Sequence, residues 1–205
     1  MSQRHVSSGK LYQKILYATL LDSLTIAAAP SLAGNNKGRF LNLVRTCSNW
    51  QDADHISSVQ LRLRLEKKNI RSGALYSHVA TLAGGFGSGA VLIGGQHDPI
   101  ESDLTALVSS NDQNMVKLIN KCRYDSLLYV YRNNLVHEFR EPGYGGEFGD
   151  DEFPFYHSML NEAPQLSFPL EFFRRLCFSC IWGVHDILVR ERRDPRKAYG
   201  FGSIW

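Results

Sequence analysis

Apolar residues recur at three- and four-residue intervals through most of this chain, and that spacing confines it to a largely helical fold. Leu11, Ile15, Ala18 and Asp22 fall on one stripe, with Tyr12, Leu16, Leu20 and Leu24 close beside it. They predict a first helix from about Ser8 to Ala29, with Ser8 as its cap and Pro30 following its end. After the turn signal Asn35-Asn36-Lys37-Gly38, the residues Phe40, Leu43, Val44 and Cys47 predict a second helix closing near Trp50. A long helix is expected from about Asp112 to Arg140, carrying Leu118, Leu128, Leu135 and Phe139. Pro142 should end it, because the residue before a proline is pushed out of helical geometry. The last strong element runs from Pro169 to about Arg193, with Leu170, Phe173, Leu176, Cys177, Cys180, Ile181 and Val184 facing the core.

Three stretches break the pattern. In Ser58 to Leu65 the apolar Val59, Leu61, Leu63 and Leu65 alternate with Gln60, Arg62 and Arg64, as in a strand. The flanking helices and the Ser57-Ser58 cap signal favour a helix there instead. The glycine-rich stretch Ala83 to Gly95 contains Gly85-x-Gly87-x-Gly89 but lacks the Gly-Lys-Ser/Thr ending of a phosphate loop. It reads as a flexible surface connection. Gly143 to Pro169 mixes glycines with the acids Glu147, Asp150, Asp151 and Glu152, and has Phe153, Phe155 and Tyr156 to pin it down. An irregular insertion with room for a short hairpin is expected. The fold class is therefore all-α: a bundle of four to six helices with a long decorated connection before the last one. One domain should cover residues 1–193, with a tail over 194–205.

A net charge of +3 over 205 residues permits an anionic partner without demanding one. Arg190, Arg192 and Arg193 could bind RNA phosphates, or could belong to a solvated basic tail. The four cysteines lie inside apolar periodic segments, so no disulfide framework is expected. Cys177-Phe178-Ser179-Cys180 has no second ligand pair to complete a zinc site and reads as packed core. His78, His97, His157 and His185 lack metal-ligand spacing, so neither metal nor cofactor is implied. The apolar run Ile15 to Ala29 follows Lys10 and Lys14 like a targeting signal, yet Asp22, Ser23 and Thr25 interrupt it. It is also too short and polar to span a bilayer, so a buried helix of a cytoplasmic protein with no membrane partner is expected.

The chemistry concentrates in Tyr131-Arg132-Asn133-Asn134-Leu135-Val136-His137-Glu138-Phe139-Arg140-Glu141-Pro142-Gly143. A cation, an amide and a group that titrates near neutrality are what a metal-free phosphodiester reaction needs. At roughly 100° per residue, Asn133 and His137 share a helix face, whereas His137 lies about 140° round from Arg132. On that count Arg132 and His137 should not simply lie side by side within one chain, though a long arginine can wrap part of that distance. Leu128, Leu135, Val136 and Phe139 all fall within about 60° of Arg132, so its guanidinium points into an apolar stripe. Arginine is almost never fully buried unpaired. Either it bonds a buried acid, for which Asp22 is the candidate, or the stripe faces a wet crevice. A structural Arg132–Asp22 pair and a catalytic arginine both remain open.

Arg132-Asn133-x-x-x-His137 resembles the R-(N/D/H)-x(3–5)-H signature of the HEPN superfamily, small all-α bundles found among nucleases. The longer string around it resembles standalone prokaryotic members, and Leu16 to Leu24 and Arg39 to Trp50 are compatible with that group. The resemblance implies an endoribonuclease that needs no metal. In it His137 would move the proton of the 2′-hydroxyl or the leaving oxygen, Arg132 would steady the phosphorane, and Asn133 would support them. Asp22, Glu138 and Arg140 are supporting candidates. The resemblance also implies a homodimer with a composite site, in which Arg132 of one subunit meets His137 of the other, and a toxin–antitoxin or antiviral-defence setting with a cognate antitoxin protein. Members paired with nucleotidyltransferase antitoxins often carry a modified tyrosine two residues past the histidine, where this chain has Phe139. A non-catalytic HEPN-type RNA-binding or dimerisation module with a structural Arg132 is one alternative. A small-ligand-binding bundle with the glycine-rich loop as a lid is another.

Overall fold

A computed structural model describes residues 8–85, 91–109, 111–142, 152–157 and 164–199. The described chain is mostly helical: α1 (Ser8–Ala28), α2 (Asn36–Cys47), α3 (Ser58–Lys67), α4 (Ala74–Gly84), α5 (Glu101–Thr105), α6 (Gln113–Asn120), α7 (Tyr124–Glu138), α8 (Leu170–Arg190) and α9 (Pro195–Ala198). Three short strands, β1 (Val91–Ile93), β2 (Phe155–His157) and β3 (Gln165–Ser167), form an antiparallel sheet in that order. None of the helices described is long and apolar enough to cross a membrane.

Packing divides the chain into two compact units, where the periodicity led us to expect one domain over 1–193. The first gathers residues up to 50, 129–142 and those from 170 onward; the second holds 51–128 and 143–169. Periodicity says which face of a helix is buried but not which neighbour buries it, so this division was not legible.

In the first unit α1, α2 and α8 pack pairwise. Ala18, Leu21, Phe40, Leu43, Leu135, Phe173, Leu176 and Cys180 are buried between its elements. Gly183 permits the close approach of α8 to the end of α2, since a Cβ there would lie 2.3 Å from the Cys47 carbonyl oxygen. Two expectations fail here. Tyr12, Leu16 and Leu20 face outward, leaving Lys14, Ala18, Leu21 and Leu24 as the buried stripe of α1. Ile181 also faces outward, whereas Phe173, Leu176, Cys177, Cys180 and Val184 are core as expected. Burial pushes the Cys177 thiol up to about 12 and raises Cys180 further, so both are inert packing groups.

In the second unit Ser58–Lys67 is a helix, and Ser57 caps it by accepting a bond from the Gln60 amide at 3.1 Å. Ile56, Leu61, Leu65, Leu75, Val79, Leu104, Leu118 and Ile119 form its core. The expected helix from Asp112 to Arg140 is two helices. Asp112 caps the first, accepting from the Met115 amide at 3.0 Å. The break falls at Lys121-Cys122-Arg123, where the backbone turns aside to pair with residues 55–57. The Ser57 amide donates to Cys122 O at 2.9 Å, and the Tyr124 amide to His55 O at 2.9 Å. Arg123 is held there by Glu101 and Asp125. Leu118 and Leu128 thus belong to different helices.

The insertion supplies a hairpin, β2 against β3, to which β1 adds as a third strand; Leu92, Tyr156 and Leu166 are in register across the sheet. Phe155 and Tyr156 pin it as expected, whereas Phe153 is exposed. Strand β1 and the turn after it correct the reading of Ala83 to Gly95 as a loose connection, for a Cβ on Gly94 would lie 2.2 Å from the Tyr124 hydroxyl. Gly87 and Gly89, and the acids Glu147, Asp150 and Asp151, lie outside the described residues.

Candidate functional site

Helix α7 presents the site from its last two turns, and its end is not set by Pro142. Glu138 is the last helical residue, Phe139 adopts a left-handed backbone at φ 53°, and the Arg140 amide donates back to Asn134 O at 3.4 Å. Phenylalanine thus takes the left-handed position after a helix end that glycine usually fills. Phe139 therefore leaves the stripe on which periodicity placed it and stands exposed, while Leu128 and Leu135 are buried as expected.

Arg132 is the hub. Its side chain is 13% exposed, and it forms an ion pair with Asp22 of α1, the acid the sequence pointed to. Its other amino group, Nη1, donates to Asn133 Oδ1 at 2.7 Å and lies 3.3 Å from His137 Nε2. The angular count, which set Arg132 and His137 apart within one chain, is therefore overridden. Their Cα directions diverge, but the long arginine side chain covers the difference. Burial lowers the proton affinity of the guanidinium, and Asp22 supplies the opposite charge. Arg132 Nε is buried with no hydrogen-bond partner among the described residues.

Guanidinium can only donate, so His137 Nε2 is the acceptor in this contact. His137 itself is exposed, at the margin of the Arg132–Asp22 pair. The cluster thus offers a held cation, an amide oxygen bonded to it, and an imidazole at the surface. Such a set can bind an anionic oxygen and exchange a proton beside it.

The supporting candidates divide. Asp22 belongs to the cluster. Glu138 and Arg140 pair with each other at 2.5 Å on the exposed surface. At the far end of α8, Arg190 and Arg193 pair with Glu191 at 3.8 and 2.8 Å, and Arg192 follows them in a left-handed turn at φ 51°. Residues 194–199 of the tail are ordered by Asp194, which caps α9.

A group that the sequence reading missed braces the motif. Lys14 of α1 is fully buried and reaches Glu141 Oε1 at 3.1 Å and Tyr131 Oη at 3.4 Å; Tyr131 Oη donates to Glu141 Oε2 at 2.6 Å. Its signal was available: Lys14 stands four residues before Ala18 on the buried face, where a lysine demands a partner. Among the described residues no three His, Cys, Asp or Glu side chains converge.

No protein-family model, no curated protein and no solved structure matches this chain.

Proposed function

We propose that the protein is a HEPN-type endoribonuclease that cleaves RNA by attack of the 2′-hydroxyl on the adjacent phosphorus, without a metal. The observation that carries this reading is the meeting of Arg132, Asn133 and His137 at the surface, with Arg132 Nη1 at 2.7 and 3.3 Å from its two partners. The R-N-x-x-x-H spacing that resembles the HEPN superfamily supplies the rest. In the reaction O2′ bonds to phosphorus as the bond to O5′ breaks, leaving a 2′,3′-cyclic phosphate and a 5′-hydroxyl. His137 Nε2 takes the 2′ proton, released from its contact as Arg132 turns to the phosphoryl oxygens, and the departing O5′ takes a proton from water to become the 5′-hydroxyl. Arg132 meets the charge that develops on them, Asn133 fixes its orientation, and Asp22 is a positioning residue.

The outward face of α1 supports a homodimer. Tyr12, Leu16, Leu20 and Ile26 are exposed on it, and the hydroxyls of Thr19 and Ser23 bond back to their own helix. Because Arg132 and His137 meet within one chain, the dimer would present two whole sites rather than share halves. On the resemblance, the setting is toxin–antitoxin or antiviral defence, with an antitoxin protein as partner.

A second reading has its own support. The Arg132–Asp22 pair is a structural contact in its own right, and it favours a non-catalytic HEPN-type module.

Incubation of single-stranded RNA with the protein in chelator separates the two. Cleavage leaving 2′,3′-cyclic phosphate ends is expected, with His137→Ala reducing it by roughly 100-fold or more while the protein stays folded. Wild-type protein that leaves varied RNAs intact, with and without divalent metal, overturns the nuclease reading. Sedimentation of Leu16→Glu, expected to shift a dimer to monomer, tests the α1 face.

A further inference from the structure

A second site lies in the first unit, between the C-terminal end of α2 and one face of α8. It is an open groove of about 470 Å³, within the range of small-ligand sites. Cys47, Asn49, Trp182, Gly183, Asp186 and Arg190 line it. The close approach at Gly183 makes its floor, and Ser179 Oγ accepts from the Asn49 amide at 3.0 Å to hold its end.

Along α8 the polar and aromatic lining residues stand four apart, Trp182, Asp186 and Arg190, and therefore rise along one helix face. Trp182 is 64% exposed, and its ring meets His185 edge-on at 5.8 Å, which leaves it as an aromatic platform. Among the described residues Arg190 makes a loose 3.8 Å pair with exposed Glu191, and its side chain is 72% exposed, so its charge is available to a ligand. Helical side chains lean toward the N-terminus, which brings the Arg190 arm back toward Asp186. The opposite wall is the end of α2 and the residues after it, Thr46, Cys47 and Asn49.

The groove lining thus offers a side-chain amide at Asn49, a flat aromatic surface, a carboxylate and a cation. We propose that it binds one ribonucleotide unit of single-stranded RNA. The base stacks on Trp182 with its edge toward Asn49, the ribose hydroxyls donate to Asp186, and the phosphate meets Arg190. A carboxylate that accepts from ribose hydroxyls prefers RNA to DNA, because deoxyribose lacks the 2′ donor. Stacking of this kind tolerates any base. The groove does not depend on cleavage at His137, and of the three arginines weighed as RNA contacts it enlists Arg190 alone.

The test uses the full chain carrying His137→Ala, so that substrate survives. Binding of a fluorescein-labelled single-stranded oligoribonucleotide, and of its deoxyribose twin, is followed by anisotropy across a salt series. Adding Trp182→Ala should weaken RNA binding by roughly tenfold. Adding Arg190→Ala should lower the slope of log affinity against log salt by about one. Adding Asp186→Ala should narrow the preference for RNA over DNA. All three side chains are exposed, so the fold survives their loss, and circular dichroism checks this. RNA binding unchanged by Trp182→Ala, or equal affinity for both oligonucleotides, overturns the proposal. So does a Trp182→Ala protein that binds RNA normally yet changes from dimer to monomer, which would make this face a protein interface. Cleavage by wild type is scored separately, so the groove and the nuclease reading fail independently.

Discussion

At the scale of single residues, Phe139 is the clearest case of a local rule set aside. A bulky side chain in the left-handed region costs about 1–2 kcal/mol, and Phe139 recovers little by burial because it is exposed. Glycine would remove that cost but lose about 0.4–1 kcal/mol through the freer unfolded chain. Phe139→Gly should therefore stabilise the protein by roughly 0.5–1 kcal/mol, read as a higher urea midpoint at unchanged slope. A lower midpoint would mean that Phe139 makes a contact worth more than its backbone strain. Arg132 teaches a related lesson. Its position on the apolar stripe and its need for an acid were readable from helix angles, and so was Asp22. Its contact with His137 was not, because it depends on side-chain torsions that angular spacing cannot see.

At the scale of elements, buried polar groups position what periodicity only outlines. Lys14 ties α1 to Glu141, three residues after α7 ends, and Tyr131 of α7 completes the network. The side chains of Lys14 and Glu141 are 0% and 6% exposed, so removing the lysine strands a carboxylate in the core. Lys14→Met should cost about 3 kcal/mol in urea denaturation, since breaking one side of a buried pair leaves an uncompensated charge. The double variant Lys14→Met/Glu141→Gln should recover part of it, and a double variant as unstable as the sum of the singles would show that the two do not act as a pair. The second unit uses the same device without a cation. Asp98 Oδ1 accepts from the Ser58 amide at 3.0 Å and its hydroxyl at 2.6 Å. Asp98 Oδ2 accepts from Tyr124 at 2.7 Å and Tyr156 at 2.5 Å. One carboxyl thereby joins the first turn of α3, the start of α7 and strand β2.

At the scale of the whole molecule, that carboxyl should be visible in the pH dependence of stability. Burial raises its proton affinity above the ordinary carboxylate value and outweighs the four donors. Three of those donors are hydroxyls, which can rotate and also serve a protonated acid. Because the folded-state pKa is raised, the contribution of Asp98 to stability is fully present below the unfolded value of about 3.9. It is lost as pH rises through the folded value. The stability of wild type relative to Asp98→Asn should accordingly decline from about pH 4 upward, measured by urea denaturation at several pH values. A difference that grows with pH would mean the donors win and the carboxylate is the preferred form.

Much of the helical content was legible because a 3.6-residue period is local: it depends only on which residues are apolar and how far apart they stand. The sequence by itself determined α1, α2, α8 and the inert cysteine pair in α8, and with the cap signal at Ser57 it favoured a helix over a strand for α3. It also placed Arg132 on an apolar stripe and offered Asp22 as the acid it could bond. Tertiary structure decided what depends on partners distant in sequence. Residues 55–57 divert the chain at 121–123, strand β1 joins the hairpin of the insertion, and Lys14 finds Glu141. It likewise turned α1 so that Tyr12, Leu16 and Leu20 face out. The physical reason is that periodicity ranks the faces of an element by polarity, whereas only packing assigns each face a neighbour and each buried charge its counter-charge.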